Sequence, residues 1–225
     1  MDLIRKYDQF KEIKEEIDKF TSLLLSQKSL PNINELKSIS KYIIFMKTFV
    51  NYTGESHYKN SLIFDILSVM NSLTKDSLRQ FHYVFRSFIE NYARAMLNLN
   101  DHDETGVNEL FRRLKELIGE DEIASSILDY IIGEYGKSCM FVHSNSKSNM
   151  SIQLFYTDLI NQDDFNTQTL SSVINKVLLI LKKMTELTVH VYPSTVENAF
   201  YRKKQHLRYL IGDQTFQRLL HKVRM

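Results

Sequence analysis

Glycine and proline are scarce in this sequence, and the scarcity limits the folds that it can adopt. The 225-residue chain contains only six glycines and two prolines. Strand-rich chains of this length need many tight turns, and tight turns draw heavily on both residue types. Long helices are therefore favoured, and the chain is long enough for one domain of ordinary size or two small ones.

Cysteine and long apolar runs are scarce as well. The only cysteine, Cys139, excludes a disulfide framework within the chain. The apolar run at residues 177–181 is far shorter than the roughly 20 residues that span a bilayer, and residues 1–6 lack the apolar core of a signal peptide. We therefore predict a cytoplasmic protein that has no membrane partner.

Excess charge of one sign is small over the whole chain but marked at its C-terminal end. The formal net charge is +2, which excludes a general electrostatic attraction to nucleic acid. Residues 201–225 carry seven lysines and arginines against one aspartate, with Tyr201 and Tyr209 among them. Aromatic rings between cations can stack on bases, whereas the apolar stripe of the same segment predicts an ordinary solvated helix surface. The candidate nucleic-acid-binding residues are Arg202, Lys203, Lys204 and Arg208.

Apolar periodicity of the helical type is abundant. Apolar residues recur at alternating three- and four-residue spacing along most of the chain, most clearly in the segment 78–99, whose bulky residues share one arc of a helical wheel. These residues are Phe81, Phe85, Phe88, Ile89, Tyr92 and Met96. The chain has no internal repeat and no low-complexity linker. We predict an all-α fold, a single-domain bundle of about seven to nine helices over residues 1–225.

A row of charges follows the helix predicted at residues 78–99. Arg86, Glu90 and Arg94 lie four residues apart, so Glu90 can pair with either arginine. One interpretation is a solvated ladder of salt bridges, which contributes little to stability. The other is that the row faces a second helix or a phosphate, because a guanidinium offers bidentate donors to oxygen ligands.

One histidine lies between an apolar, helix-like run and a string of small polar residues. If the helix persists that far, Tyr135, Cys139 and His143 share one face. His143 then either makes a local bond at the helix end or transfers protons. The other histidines are scattered, so no zinc site is predicted, and a Cys139–His143 nucleophile pair is disfavoured because its surroundings resemble packing. No glycine-rich phosphate loop occurs.

Two segments together resemble a known family. The segment FRSFIENYAR at residues 85–94 is followed, about fifty residues further on, by YGKSCMFVHS at residues 135–144. This pair resembles the HEPN superfamily of small helical domains, over about residues 75–190. Residues 1–72 then form an N-terminal helical extension, and residues 193–225 form a basic C-terminal helical segment.

The resemblance implies a helical bundle, often dimeric, of the kind found in toxin-antitoxin, abortive-infection and other phage-defence systems. Many members are metal-independent ribonucleases whose signature is an arginine, four to six further residues, and then a histidine. His143 matches the histidine, but Lys137 stands where an arginine is expected, and an ammonium lacks the bidentate grip of a guanidinium. The expected partners are RNA, a second copy of the chain, and an antitoxin or another defence protein.

The implied chemistry is cleavage of RNA. His143 acts as base on a ribose 2′-hydroxyl or as acid to the leaving oxygen, since an imidazole has an ordinary pKa of about 6.5. Lys137, or Arg86 reaching across from the neighbouring helix, stabilises charge on the phosphate, and Ser144 and Asn145 orient it. The candidate catalytic set is His143, Lys137, Arg86, Glu90, Arg94, Ser144 and Asn145, with no metal and no cofactor. The alternative is a non-catalytic helical module that binds a partner protein or nucleic acid.

Overall fold

The computed structural model describes residues 9–75, 77–143, 151–153 and 166–224. Within these residues the chain forms ten helices and no strand, which confirms the predicted all-α fold. The helices are α1 Lys11–Gln27, α2 Ile33–Tyr52, α3 His57–Thr74, α4 Leu78–Met96, α5 Val107–Ile118, α6 Glu122–His143, α7 Thr167–Val191, α8 Pro193–Ala199, α9 Lys204–Ile211 and α10 Asp213–Val223.

The helix α4 lies at the centre of the bundle. It packs against α3 on one side and α6 on another, and its aromatic residues Phe81, Phe85 and Phe88 are at most 1% exposed. Full burial of a side chain of this size contributes about 1.5–3 kcal/mol to the free energy of folding. The apolar arc read from the sequence is therefore the core-facing side of α4.

The helix α7 connects the central helix α4 to the rest of the bundle. It packs against α2 and α6, and the buried Tyr92 hydroxyl of α4 donates a hydrogen bond to the carbonyl of Met184 at 2.9 Å. Buried apolar side chains from α1 through α10 form one continuous cluster. The N-terminal helices and the basic C-terminal helices thus share a core with the central segment.

Local signals explain where several helices begin. The Ser77 hydroxyl accepts a hydrogen bond from the Gln80 amide at 3.1 Å and caps α4, and Asn166 caps α7 in the same way. Pro193 occupies the first turn of α8, where its missing amide hydrogen costs nothing. Gly212, at a φ of +80°, separates α9 from α10. These breaks divide the C-terminal segment into short helices and raise the number of described helices to ten, above the predicted seven to nine.

No helix among the described residues is both long enough and apolar enough to cross a membrane.

Candidate functional site

The helices α4 and α6 run antiparallel, and their contacts define the register between them. Near the start of α4, His82 Nδ1 lies 3.1 Å from the Ser138 hydroxyl, and the His82 ring stacks on Phe141 with centroids 4.2 Å apart. One turn further along α4, the charge of Arg86 acts on Tyr135, which lies earlier on α6. Moving forward along α4 therefore means moving backward along α6.

The helix α6 continues without a break to His143, which confirms the condition set by the sequence. Tyr135, Cys139 and His143 follow one another at four-residue steps, so their backbone positions lie along one flank of the helix. The pKa of the Tyr135 hydroxyl is raised, first by burial and then by its hydrogen bond with Cys139. Its ring also meets Phe111 of α5 edge-on, with centroids 5.3 Å apart. We call this line of three residues the Tyr135 flank.

Arg86 and Glu90 approach the Tyr135 flank from α4. The Glu90 charge raises the pKa of Tyr135, and the Arg86 charge lowers it. Arg86 is half-buried, in a position between core and solvent. His143 lies eight residues beyond Tyr135, about 12 Å along the helix axis. Of the three cations proposed from the sequence to assist His143, Arg86 is the one placed beside this flank.

Arg94 has a different role, because it holds the loop between α4 and α5. Its guanidinium donates to the carbonyl of Thr105 at 2.8 Å, to the carbonyl of Asp103 at 3.1 Å and to the Glu90 carboxylate at 3.0 Å. It also lies 4.8 Å from the centre of the Tyr58 ring. The antiparallel register separates Arg94 from His143 by about 20 Å along α6, so the two residues do not share one site.

Lys137 is engaged on the other side of α6. Its ammonium lies 2.6 Å from the carboxylate of Glu134, a residue that is almost completely buried, and Lys176 of α7 lies 3.5 Å from the same carboxylate. Six helical residues separate Lys137 from His143, which puts their positions about 120° apart around the axis. Lys137 therefore neutralises a buried carboxylate and does not occupy the Tyr135 flank.

The structure identifies His82 as a further titratable residue that sequence reasoning passed over. His82 is buried, and burial lowers its pKa to about 4, with a smaller lowering from Lys176 and an opposing effect of Glu134. A signal was present in the sequence, because His82, Phe85 and Ile89 follow the spacing of the apolar stripe. The imidazole is held neutral and acts as a packed polar link between α4 and α6.

Arg79 is a second residue whose position the sequence alone did not single out. It lies seven residues before Arg86, so both belong to the same stripe of α4, and Arg79 is exposed. Extending the register from the His82–Phe141 contact by one turn brings the backbone of Arg79 level with that of His143. The α4–α6 pair thus carries two arginines along the side where α6 ends in the histidine.

The basic residues of the C-terminal segment are partly neutralised by local acids. Lys204 lies 2.6 Å from the Glu197 carboxylate, and Arg208 lies 2.5 Å from that of Asp213. Arg202 and Lys203 are exposed, and the Arg202 guanidinium lies 5.4 Å from the centre of the exposed Tyr201 ring. Tyr209, the other aromatic residue of this segment, has the Lys41 ammonium 4.1 Å from its ring centre, so the described part of the segment is a solvated, ion-paired surface.

Three of the predicted positions lie wholly or partly outside the described residues. Ser144 and Asn145 follow the end of α6, and of His143 the structure describes the helical backbone but not the side chain. Among the residues that are described, no group of three or more histidine, cysteine, aspartate or glutamate side chains has the arrangement of a metal site.

Comparison with known proteins returns no relative. No family model matches the chain, and no curated protein and no solved structure matches it either. Function must therefore be argued from the geometry of the chain itself.

Proposed function

We propose that this protein is an RNA-directed, metal-independent endoribonuclease whose site lies along the Tyr135 flank. The observation that carries the proposal is the packing of α4 on α6, in which the Arg86 charge acts on Tyr135, on the flank of an unbroken helix that reaches His143 two turns later. A guanidinium supplies paired donors for a phosphate, and an imidazole supplies a proton acceptor or donor near neutral pH.

The reaction is the attack of a ribose 2′-oxygen on the adjacent phosphorus. His143 accepts the proton of the 2′-hydroxyl while the new oxygen–phosphorus bond forms, and the bond from phosphorus to the 5′-oxygen breaks. Water supplies the proton that the leaving 5′-oxygen takes up. The products are a 2′,3′-cyclic phosphate and a free 5′-hydroxyl, with Arg86 stabilising the charge that develops on the phosphate oxygens. In this arrangement Arg94 and Glu90 hold the loop between α4 and α5 and contact no substrate.

The test is cleavage of total RNA by the purified chain in the presence of EDTA, with the product ends identified. We expect cyclic-phosphate ends from the unaltered protein and their loss in His143→Ala. The matched control is His102→Ala, because His102 is an exposed histidine on the loop after α4. Equal cleavage by the unaltered protein and His143→Ala would contradict the catalytic role of His143.

A second candidate function is a non-catalytic helical module that binds RNA or a partner protein. The observation that favours it is the engagement of two predicted catalytic cations by carboxylates, Arg94 by Glu90 and Lys137 by Glu134. A module of this kind binds RNA without cutting it, and His143→Ala leaves the binding constant unchanged. A salt titration of RNA affinity reports the number of phosphate contacts, because each contact releases counterions.

The proposal of an RNA-directed endoribonuclease also includes two further expectations. The chain forms a homodimer, and it acts in defence alongside an antitoxin or another defence protein. Light scattering on the purified chain tests the dimer. Toxicity of the expressed protein in a bacterial host, compared with that of His143→Ala, tests the defence role.

A further inference from the structure

A cleft of about 200 Å³ opens at the end of α6 that is remote from His143. It lies between the start of α6, the end of α7 and the helix α10. Asp121 lines the cleft just before α6, His190 lines it from α7, and Arg218, His221 and Lys222 line it from α10. Ile127, at the floor, lies sixteen residues before His143, about 24 Å away along the helix axis. This cleft is separate from the site proposed for RNA cleavage.

Two basic groups are held close together at the centre of the cleft. The Lys222 ammonium lies 3.0 Å from His190 Nε2, an arrangement that fits a neutral imidazole accepting a hydrogen bond from the ammonium. Asp121 is the nearest carboxylate, 3.3 Å from His190 Nε2 and 4.0 Å from the Lys222 ammonium. The same carboxylate also caps α6 by accepting from the Ala124 amide at 2.9 Å. One acid thus opposes the Lys222 charge and caps a helix, while His190 is held by its hydrogen bond from Lys222.

The rim of the cleft adds further positive charge. Arg218 and His221 are exposed, and no carboxylate within the described chain forms a salt bridge with either. Glu186 also lines the cleft, but Lys183 lies 3.3 Å from its carboxylate. An anionic ligand that enters the cleft therefore meets Arg218 and Lys222 with only Asp121 opposing it directly.

The floor of the cleft is apolar. Ile127 and Val189 are at most 5% exposed and form its base, and Ile123 is a large exposed apolar residue at its edge. Ligand sites commonly combine an apolar lining with a few convergent polar groups. The volume is below the roughly 300–1,000 Å³ of drug-sized pockets, so the cleft suits a ligand with one anionic group and one ring.

We propose that this cleft binds a phosphate monoester joined to a small flat apolar body. The planar guanidinium of Arg218 donates hydrogen bonds to two phosphate oxygens, and the Lys222 ammonium neutralises the charge of a third. The ring of the ligand packs on Ile127 and Val189. A phosphate monoester is favoured over a carboxylate because it carries a charge of about −1.5 to −2 at neutral pH, which matches two permanent cations flanked by two histidines.

The probe is phenyl phosphate, titrated into the full-length protein by calorimetry, with phenol and inorganic phosphate as the two half-ligands. We expect phenyl phosphate to bind more tightly than either half-ligand. Arg218→Gln is expected to weaken this binding by about tenfold or more, because a charge-assisted contact contributes roughly 1.5–3 kcal/mol. Arg224→Gln, which removes an exposed cation at the end of the same helix but outside the cleft, is the matched control.

Three outcomes would overturn the proposal. They are binding of phenyl phosphate no tighter than that of phenol, unchanged affinity in Arg218→Gln, and equal weakening by Arg218→Gln and Arg224→Gln. Because Arg218 has no ion-pair partner in the described chain, its substitution is not expected to unfold the protein, and thermal unfolding of the variant checks this. Competition by a 5′-phosphorylated trinucleotide would identify an RNA end as the source of the phosphate, and its failure would identify a free small molecule. RNA cleavage is expected to be unaffected by Arg218→Gln.

Discussion

The two ends of the α4–α6 helix pair use the same residue types in opposite ways. At the end near the α4–α5 loop, the Arg94 side chain is 10% exposed and binds two backbone carbonyls and a carboxylate. At the other end, Arg79 is exposed and Arg86 is half-buried, level with the last turns of α6. An arginine of α4 thus clamps a loop at one end of the helix pair, whereas at the other end the arginines lie beside the last turns of α6.

Two further residues of the helix pair, Lys137 on α6 and His82 on α4, also differ from the candidate catalytic residues. Lys137 neutralises the buried Glu134, and His82 is kept neutral by burial. Neither is arranged as a catalytic group, although both lie within a few turns of His143. Closeness to His143 in the helix pair is therefore a weaker guide to function than the flank of the helix on which a residue lies.

The largest expected effect is the loss of the clamp in Arg94→Ala. Two carbonyls and one carboxylate, all in part-buried hydrogen bonds, lose their donor, so we expect the free energy of unfolding to fall by about 3 kcal/mol. Urea denaturation measures the change. Arg112→Ala is the control, since Arg112 forms exposed ion pairs with Glu109 and Glu116 and should cost at most about 1 kcal/mol. Similar small losses of unfolding free energy in both variants would contradict the role of Arg94 as a structural clamp.

The next largest effect is expected on RNA cleavage, at the end of the α4–α6 helix pair near His143. Arg86→Ala is expected to lower RNA cleavage by about 100-fold, the scale for one group that stabilises transition-state charge, and the urea midpoint of the variant is measured alongside. Arg79→Ala is expected to lower RNA cleavage by about tenfold, because Arg79 lies level with His143 but is exposed, so that water screens its charge more than that of the half-buried Arg86. Cleavage rates in EDTA measure both. Full activity in Arg86→Ala would place the phosphate contact elsewhere.

A smaller effect is a pH dependence of stability that comes from His82. Its pKa is about 4 in the folded protein and about 6.5 in the unfolded chain, so between these values the unfolded chain binds more protons. The free energy of unfolding therefore decreases as the pH falls from about 6.5 to 4. Urea midpoints measured across this range are expected to show a shallower decrease in His82→Phe than in the control His102→Ala. Identical slopes in the two variants would contradict the assignment of this pH dependence to His82.

The smallest effects, on both the free energy of unfolding and RNA cleavage, are predicted for Lys137→Met. Lys176 remains beside Glu134 after the change, so the free energy of unfolding should drop by about 1 kcal/mol or less. RNA cleavage should stay within about twofold of the unaltered rate, because Lys137 lies on the wrong flank of α6. A large loss of cleavage without a loss of stability would restore Lys137 as the phosphate-binding residue.

The sequence predicted the helices well, but it predicted only in part how the charged residues of the candidate site are paired. Periodicity identified the buried face of α4 and the helix that reaches His143, because helical spacing is a local property of the chain. It also singled out Arg86. It treated Arg94 as equivalent to Arg86, since both belong to one four-residue row, and the difference arises from Asp103 and Thr105 in a loop that folds back.

By itself, then, the sequence determined the all-helical architecture and the line of residues Tyr135, Cys139 and His143, since both follow from neighbours within a few turns. Only the tertiary structure decided which cations meet which acids. It placed Arg94 in a loop clamp, directed Lys137 to Glu134, and brought Asp121, His190 and Lys222 together from three distant segments. Those pairings depend on how whole helices pack and on their register, which no local pattern of residues encodes.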